Sequence, residues 1–403
     1  MGRLGFIGVF VAVLLGLPLA LAGEPESKAA KVVTQEVRSS QRDLHIRSGP
    51  GVYYDILKNL DAGVELTVME EGKRWIKVRH GKHTVGWVSS RVFTKRSKRR
   101  GYGALLGEQG LKGVSATVVT MATQGFGNLG SGGAMDGVIM DFLAQQAFTP
   151  GEWVRFAQVL PGRPVPKLPG WMRQMGVVRQ VDDGQAELER RLGMRLAAQV
   201  LQDVKLITDR KLDRYVNQVG TAILSATSHY DQSWRFVVFD EDEAEAFALP
   251  GGVVFISDGL IVELSDEAEL AGVLAHQVAH VLLGHDLDAL RTRLGSPNLK
   301  ATEEQRMQRL LEEAYRLARA PRPVEQEIAA DAYGTAFAIA AGYDPMAFVR
   351  FIQRNNAFEA RGADYPKAEV RKQTVEQVAK TFKPARLLSL KKRFKQATTS
   401  EKT

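Results

Sequence analysis

The chain has 403 residues, which is enough for two domains and a sizeable apolar core. It contains no cysteine, so disulfides, thiolate metal sites and a lipid anchor on an N-terminal cysteine are excluded. The net charge of +8 allows loose attraction to anionic polymers but identifies none of them.

The N-terminus has the three parts of a secretory signal peptide. Arg3 precedes an apolar run over residues 4–21, and Ala20-Leu21-Ala22 offers small residues at a cleavage site. We therefore predict a signal peptide over residues 1–22 and no transmembrane span after its removal. An uncleaved anchor is the alternative, since the apolar run is nearly long enough to cross a bilayer. Secretion without cysteines points to the periplasm or cell envelope of a bacterium.

Residues 32–94 alternate short strands with turns, for example at Glu65–Met69 and Trp75–Val78. The Trp75 strand, Gly86-Trp87-Val88 and residues 44–51, which read Leu-His-Ile-Arg-Ser-Gly-Pro-Gly, resemble the bacterial SH3 (SH3b) family. The resemblance implies an SH3b domain over residues 32–94, folded as a small SH3-like β-barrel. Such barrels commonly bind cell-wall peptide or other ligands. The alternative is a barrel that only spaces or docks the next domain.

The segment that follows, residues 95–182, is predicted to be a linker and glycine-rich region of unknown role. It contains no phosphate-binding loop pattern. Residues 183–380 show mainly helical spacing, with strands at Trp234–Phe239 and Val253–Ile256, which predicts a mainly helical domain with a small sheet. Residues 381–403 are predicted to be a basic C-terminal tail. The chain is thus expected to be a secreted two-domain protein of the α+β class.

An apolar stretch over residues 268–283 carries the first candidate metal ligands. Its His276 and His280 are four residues apart, so on a helix both imidazoles leave the same face. With this spacing a His-Glu-x-x-His helix offers two nitrogens to one zinc ion. Gln277 stands where that pattern has glutamate. His285 is not expected to be a ligand, because a continuous helix would place it on the opposite face.

A second predicted helix supplies further candidates. Pro321 and Pro323 precede it, and Gly342 ends it. Glu327 and Asp331 lie four residues apart on one face. Glu327 is the natural third ligand, and Asp331 is placed to hydrogen-bond the outer nitrogen of a metal-bound histidine. Without the two histidines, both carboxylates would be read as ordinary surface residues.

Four motifs, in this order, resemble the M48 family of zinc metalloendopeptidases and in particular its periplasmic quality-control branch. They are Phe247–Gly252, Glu269–His276, Glu327–Asp331 and Gly342–Pro345. The resemblance implies a zincin-like metallopeptidase domain that binds one Zn²⁺ per chain.

The same resemblance assigns roles to individual residues. It makes His276, His280 and Glu327 the zinc ligands and Asp331 the partner of a ligand. It also implies that an extended polypeptide pairs with the strand at residues 253–256. The expected substrate-binding residues are Gly251, Gly252, Val253 and Val254.

The chain departs from the M48 pattern at three positions. Gln277 replaces the glutamate that, in the family, takes a proton from the attacking water, and an amide has no basic lone pair at neutral pH. Tyr365 stands where the family often has a histidine that steadies the transition state, although a tyrosine hydroxyl can donate to an oxyanion. Arg371, which follows it in the family pattern, is retained. Glu245 stands where the family usually has asparagine.

These observations leave three hypotheses about function. The first is a zinc-binding M48-like domain of the envelope that acts on unfolded or extended polypeptides with weak or no proteolysis. The second is an active zinc metalloendopeptidase in envelope protein quality control, with Gln277 only slowing the chemistry or Glu245 replacing the base. The third is a wall- or partner-binding scaffold that acts through the SH3b domain. No basic and aromatic motif indicates a nucleic-acid partner.

Overall fold

The computed structural model describes most of the chain between residues 32 and 399. The ranges are 32–94, 142–143, 145–179, 183–207, 209–232, 234–294, 303–354, 365–382 and 387–399. The predicted signal peptide and residues 95–141 lie outside them. Within these ranges, every helix is too short or too polar to cross a membrane.

The N-terminal domain, residues 32–94, is a six-stranded antiparallel sheet with the strand order β1-β4-β5-β6-β2-β3. Its strands are β1 (Val32–Ser39), β2 (Leu44–Arg47), β3 (Ile56–Leu60), β4 (Glu65–Glu70), β5 (Trp75–His80) and β6 (Thr84–Ser89), and a 3₁₀ helix follows at Ser90–Phe93. Alternate side chains point inward, as the period of a strand requires. Ile46, Leu66, Val68, Val78 and Val88 are fully buried and form a core separate from the rest of the chain.

The C-terminal domain is mainly helical, with a four-stranded sheet. Its helices are α1 (Pro150–Ala157), α2 (Gly170–Met175), α3 (Asp183–Asp203), α4 (Arg210–Ala226), α5 (Asp258–Glu263), α6 (Glu267–Leu283), α7 (His285–Leu294), α8 (Glu303–Ala318), α9 (Val324–Ala341), α10 (Pro345–Arg354), α11 (Ala368–Phe382) and α12 (Lys391–Thr398). Its strands are β7 (Lys205–Leu206), β8 (Arg235–Asp240), β9 (Ala246–Leu249) and β10 (Val253–Ser257). The prediction of an α+β chain, an SH3-like sheet followed by a mainly helical domain with a small sheet, is confirmed.

The small sheet separates two apolar cores. Its strand order is β7-β8-β10-β9, with β8 parallel and β9 antiparallel to the central β10. One face of the sheet, including Phe236 and Val254, packs with α4, α6 and α9 in the larger core. The other face, including Phe239, Phe247 and Phe255, packs with α3 and α8. Strand β9 therefore lies at an edge of the sheet, beside the buried helix α6.

Two segments that flank residues 183–380 pack against the C-terminal domain. Trp153 and Phe156 of α1 belong to its larger core, although they fall in the region predicted to be a linker of unknown role. Phe394 of α12 is also buried in that core, within the segment predicted to be a basic tail. Residues outside 183–380 thus contribute to the core of the helical domain.

The two domains are in direct contact through the loop after α4. The Tyr230 hydroxyl donates to the Arg74 carbonyl over 2.9 Å, and the Arg74 guanidinium lies over the Tyr230 ring. Arg91 pairs with the Asp231 carboxylate at 3.0 Å. The SH3-like domain is thus docked on the helical domain.

Candidate metal centre

Helix α6 carries two of the three candidate ligands and is buried along almost its whole length. The Asp266 carboxylate caps its first turn by accepting from the Glu269 N–H at 3.0 Å. Gly284 ends the helix in the left-handed conformation, with φ at 82°. The helix therefore stops one residue before His285, and His276 and His280 leave it on the same face.

Helix α9 packs beside α6 and carries the third candidate ligand, Glu327. It begins after Pro323 and ends at Gly342, as the sequence predicted. Gly334 allows the close approach, because a Cβ at this position would lie 2.8 Å from the His276 backbone nitrogen. Glu327 and Asp331, one turn apart on α9, consequently both reach His276.

Three buried donor groups converge between these helices. The Nε2 atoms of His276 and His280 are 3.0 Å apart, and the Glu327 carboxylate oxygens lie 3.4 Å and 3.5 Å from them. Donors bonded to one tetrahedral zinc ion at 2.0–2.1 Å are about 3.3 Å apart, so these spacings fit such an ion. Among the described residues, these three form the one histidine and carboxylate group compact enough to hold a metal.

A chain of buried polar contacts orients the first ligand. His276 donates through Nδ1 to the Asp331 carboxylate over 2.8 Å, which leaves Nε2 free for a metal. Arg371 holds Asp331 from the other side with two hydrogen bonds of 2.7 Å. Burial opposes ionisation of Asp331, but the Arg371 guanidinium holds its pKa below the usual range. Arg371 also donates to the Tyr365 hydroxyl at 2.9 Å, so these residues form one network.

The electrostatics suit cation binding. Burial alone would lower the pKa of His276, but the Asp331 and Glu327 carboxylates raise it above its usual value. Burial and the nearby Arg322 charge lower the pKa of His280 well below its usual value, which keeps that imidazole neutral. A neutral imidazole is the form that binds metal. Burial opposes the ionisation of Glu327, but His276 lowers its pKa.

The structure adds His285 to the site, a residue that the sequence argument had set aside. Its Nδ1 lies 2.9 Å from Nδ1 of His280. A continuous helix would place His285 on the opposite face, but the left-handed Gly284 turns the chain back so that His285 faces His280. With His280 bound to a metal through Nε2, its Nδ1–H would donate to Nδ1 of His285. Gly284, directly before His285, is the sequence feature that could have predicted this turn, because glycine often ends a helix in the left-handed conformation.

The residues expected to bind substrate lie in a tight turn and on a strand that is paired along both of its edges. Gly251 and Gly252 have φ of 78° and 93° and form the tight turn between β9 and β10. Val253 and Val254 lie on β10, whose two edges are already paired with β8 and β9. A peptide strand cannot add there, because no backbone groups of β10 are left to bond it. The edge strand is β9.

A cavity of about 280 Å³ opens onto the three ligands. The lining includes Glu243–Phe247 before and in β9, His276, Gln277 and His280 on α6, Ala318–Arg322 before α9, Glu327 on α9, and Tyr365 with Arg371. Glu245, the alternative base, is bound to the guanidinium of Arg319 at the rim. Gln277 donates through Nε2 to the Ala246 carbonyl at 3.1 Å.

Comparisons with known proteins place both domains. Peptidase family M48 matches residues 208–389, and the bacterial SH3 domain matches residues 42–94. The matched M48 region contains all three converging ligands and Gln277.

Individual relatives agree with these matches over shorter stretches. The chain is 31% identical over 97 residues to the beta-barrel assembly-enhancing protease of Escherichia coli, covering 24% of this chain and 20% of that protein. It is 32% identical over 150 residues to the mitochondrial metalloendopeptidase OMA1 of Arabidopsis thaliana, covering 36% of this chain and 30% of that protein. The similarity therefore spans a third or less of the length of each of these relatives.

Proposed function

Since the chain contains a peptidase family M48 domain and a bacterial SH3 domain, we propose that it is a zinc-binding peptidase-like protein of the cell envelope. In this proposal it holds extended or unfolded polypeptides and hydrolyses them slowly or not at all. The observation that carries the proposal is a ligand set arranged for zinc beside a glutamine in the position of the general base. Envelope localisation rests on the predicted signal peptide and on the SH3 domain.

His276, His280 and Glu327 would hold the zinc ion, as nitrogen and oxygen donors with spacings that fit tetrahedral coordination. When bound, zinc polarises a peptide carbonyl and makes a nearby water more acidic. Asp331 fixes the tautomer of His276, and Arg371 keeps Asp331 ionised. Partners of this kind set both ligand orientation and metal affinity.

Gln277 is the reason to expect weak chemistry. In peptide hydrolysis a base must take a proton from water as it attacks the carbonyl, and the proton must then reach the leaving nitrogen. An amide accepts no proton at neutral pH. Loss of a general base costs about a hundred- to ten-thousand-fold in rate. Glu245 does not offer a free replacement, because its carboxylate is bound by Arg319.

The edge strand β9 supports the choice of an extended polypeptide as ligand. Its residues Ala246 and Phe247 line the same cavity as the metal ligands. An exposed strand edge binds an extended chain through backbone hydrogen bonds, largely independently of side-chain sequence. This mode suits unfolded polypeptides of varied sequence. In the proposal the docked SH3 domain adds affinity for an envelope partner, such as cell-wall peptide, and not chemistry.

The test compares wild type with Gln277→Glu, purified with equal zinc occupancy, on unfolded casein. Zinc content is measured by mass spectrometry on the same samples, with His276→Ala as the variant that removes a ligand. We expect one zinc per chain in the wild type, less in His276→Ala, and hydrolysis at least a hundredfold faster in Gln277→Glu.

Two results would contradict the proposal. Full zinc content in His276→Ala would remove the assigned metal site. Wild-type hydrolysis close to that of Gln277→Glu, and abolished by a chelator, would show an active metalloendopeptidase and favour that alternative.

A further inference from the structure

Gln277 makes a hydrogen bond whose acceptor belongs to the edge strand. Its Nε2 lies 3.1 Å from the Ala246 carbonyl oxygen. A carbonyl oxygen only accepts, so the amide nitrogen and not the amide oxygen must face it. Glutamate at this position has no hydrogen to give at neutral pH, and its charge would be repelled by the carbonyl oxygen. The hydrogen bond to the Ala246 carbonyl therefore requires glutamine and not glutamate at position 277.

The pairing of β9 determines where the Ala246 carbonyl points. In an antiparallel ladder, residues alternate between bonding the partner strand and facing away from it. The Ser257 N–H donates to the Glu245 carbonyl at 2.9 Å, so Glu245 bonds β10. Its neighbour Ala246, opposite Ile256, therefore directs its N–H and carbonyl to the free edge. The acceptor used by Gln277 is one that an added strand would use.

The Gln277 amide and an added peptide strand would compete for the Ala246 carbonyl at the cavity over the metal ligands. Ala246, Gln277, His276 and His280 all line it. An extended polypeptide that pairs with β9 next to the ligands must place an N–H near the Ala246 carbonyl, because the ladder offers few other outward acceptors there. The Gln277 amide already bonds that oxygen and therefore competes with the incoming N–H.

We propose that Gln277 is a latch on the peptide-binding edge: its amide competes with the N–H of an extended polypeptide for the Ala246 carbonyl and so weakens binding at β9. This inference rests on the proposed function, since it concerns binding of the same ligand. The residue that replaces the general base is thus assigned a second role, in lowering peptide affinity. It is a positioning residue here, acting through the edge strand.

The test measures binding of fluorescein-labelled, carboxymethylated casein to the zinc-loaded full chain by fluorescence anisotropy. Gln277→Met keeps the size and helix preference of the side chain and removes the hydrogen-bond donor, and Gln277→Ala is the second variant in case the first folds poorly. Gln373→Met, at an exposed position on α11, is the matched control. A hydrogen bond of ordinary net strength predicts about 2- to 10-fold tighter binding in both Gln277 variants.

The control should bind like the wild type. Unchanged or weaker binding by both Gln277 variants, with measurable wild-type binding, would overturn the latch and leave the proposed function standing. Absence of binding by the wild type and by every variant would instead overturn the proposed function, and the latch with it. Tighter binding by the two Gln277 variants, with unchanged binding by Gln373→Met, supports the latch.

Discussion

Arg393 on α12 is expected to stabilise the helix that carries the metal ligands, although it lies in the segment predicted to be a tail. Its guanidinium pairs with Glu267, the first residue of α6, whose side chain is fully buried. The Tyr215 and Tyr343 hydroxyls also donate to this carboxylate, each at 2.9 Å. The perturbation we consider is Arg393→Met, which keeps the apolar stem and removes the charge.

The loss of unfolding free energy in Arg393→Met can be estimated from the contacts that Glu267 keeps. The Glu267 carboxylate would keep two hydroxyl donors but lose its only opposite charge in this cluster, with no access to solvent. Breaking one side of a buried ion pair costs about 3–5 kcal/mol. The Arg393 side chain is 23% exposed, so water can partly enter its place, which favours the lower end. At roughly 2–4 °C per kcal/mol for a domain of this size, about 3 kcal/mol lowers the melting temperature by about 6–12 °C.

Thermal unfolding followed by circular dichroism measures this shift. Lys392→Met, an exposed position next to Arg393, is the matched control and should change little. The double variant Glu267→Gln with Arg393→Met should recover at least half of the loss, because a neutral amide needs no counter-charge. A melting temperature of Arg393→Met equal to that of Lys392→Met, or no recovery in the double variant, would refute the reasoning.

Three further predictions concern other histidines and the domain contact. His285→Phe should weaken zinc binding about 10- to 100-fold in chelator competition, whereas His285→Gln, which keeps an acceptor for His280, should not. Burial and the Arg91 charge lower the pKa of His229 to about 4, below its unfolded value of about 6.5, so stability should fall as the pH drops through this window. That loss is about 2 kcal/mol at pH 5, and urea titrations should show it reduced in His229→Gln. Tyr230→Ala should separate the unfolding of the two domains in calorimetry, and one unchanged transition would contradict the docking role.

The main elements were predictable because strong local signals mark them. Helix α9 runs between proline and glycine signals, and strands β5 and β10 stand out as short runs of apolar and β-branched residues. The packing of α1 and α12 against the helical domain lacks such local signals. Trp153 and Phe156 of α1 and Phe394 of α12 are a few apolar residues in short helices, and only the tertiary contacts show that they are buried.

The site was predictable where its geometry depends on one helix. The four-residue spacing within α6 and within α9 brings His276 and His280, and Glu327 and Asp331, onto common faces. The role of His285 depends on a chain reversal at one glycine, and the edge position of β9 depends on the order of strands in the sheet. Neither is a periodic feature, so spacing within one element could not predict them.

The metal ligands and Gln277 are held by different parts of the fold. His276 is oriented by Asp331 and Arg371, from α9 and α11. Gln277 is instead bonded to the edge strand through Ala246. A substitution of Gln277 should therefore change proton transfer and peptide affinity while zinc binding stays the same. Rate and affinity can then be read separately: Gln277→Met alters only the edge strand, whereas Gln277→Glu alters both the edge and the chemistry.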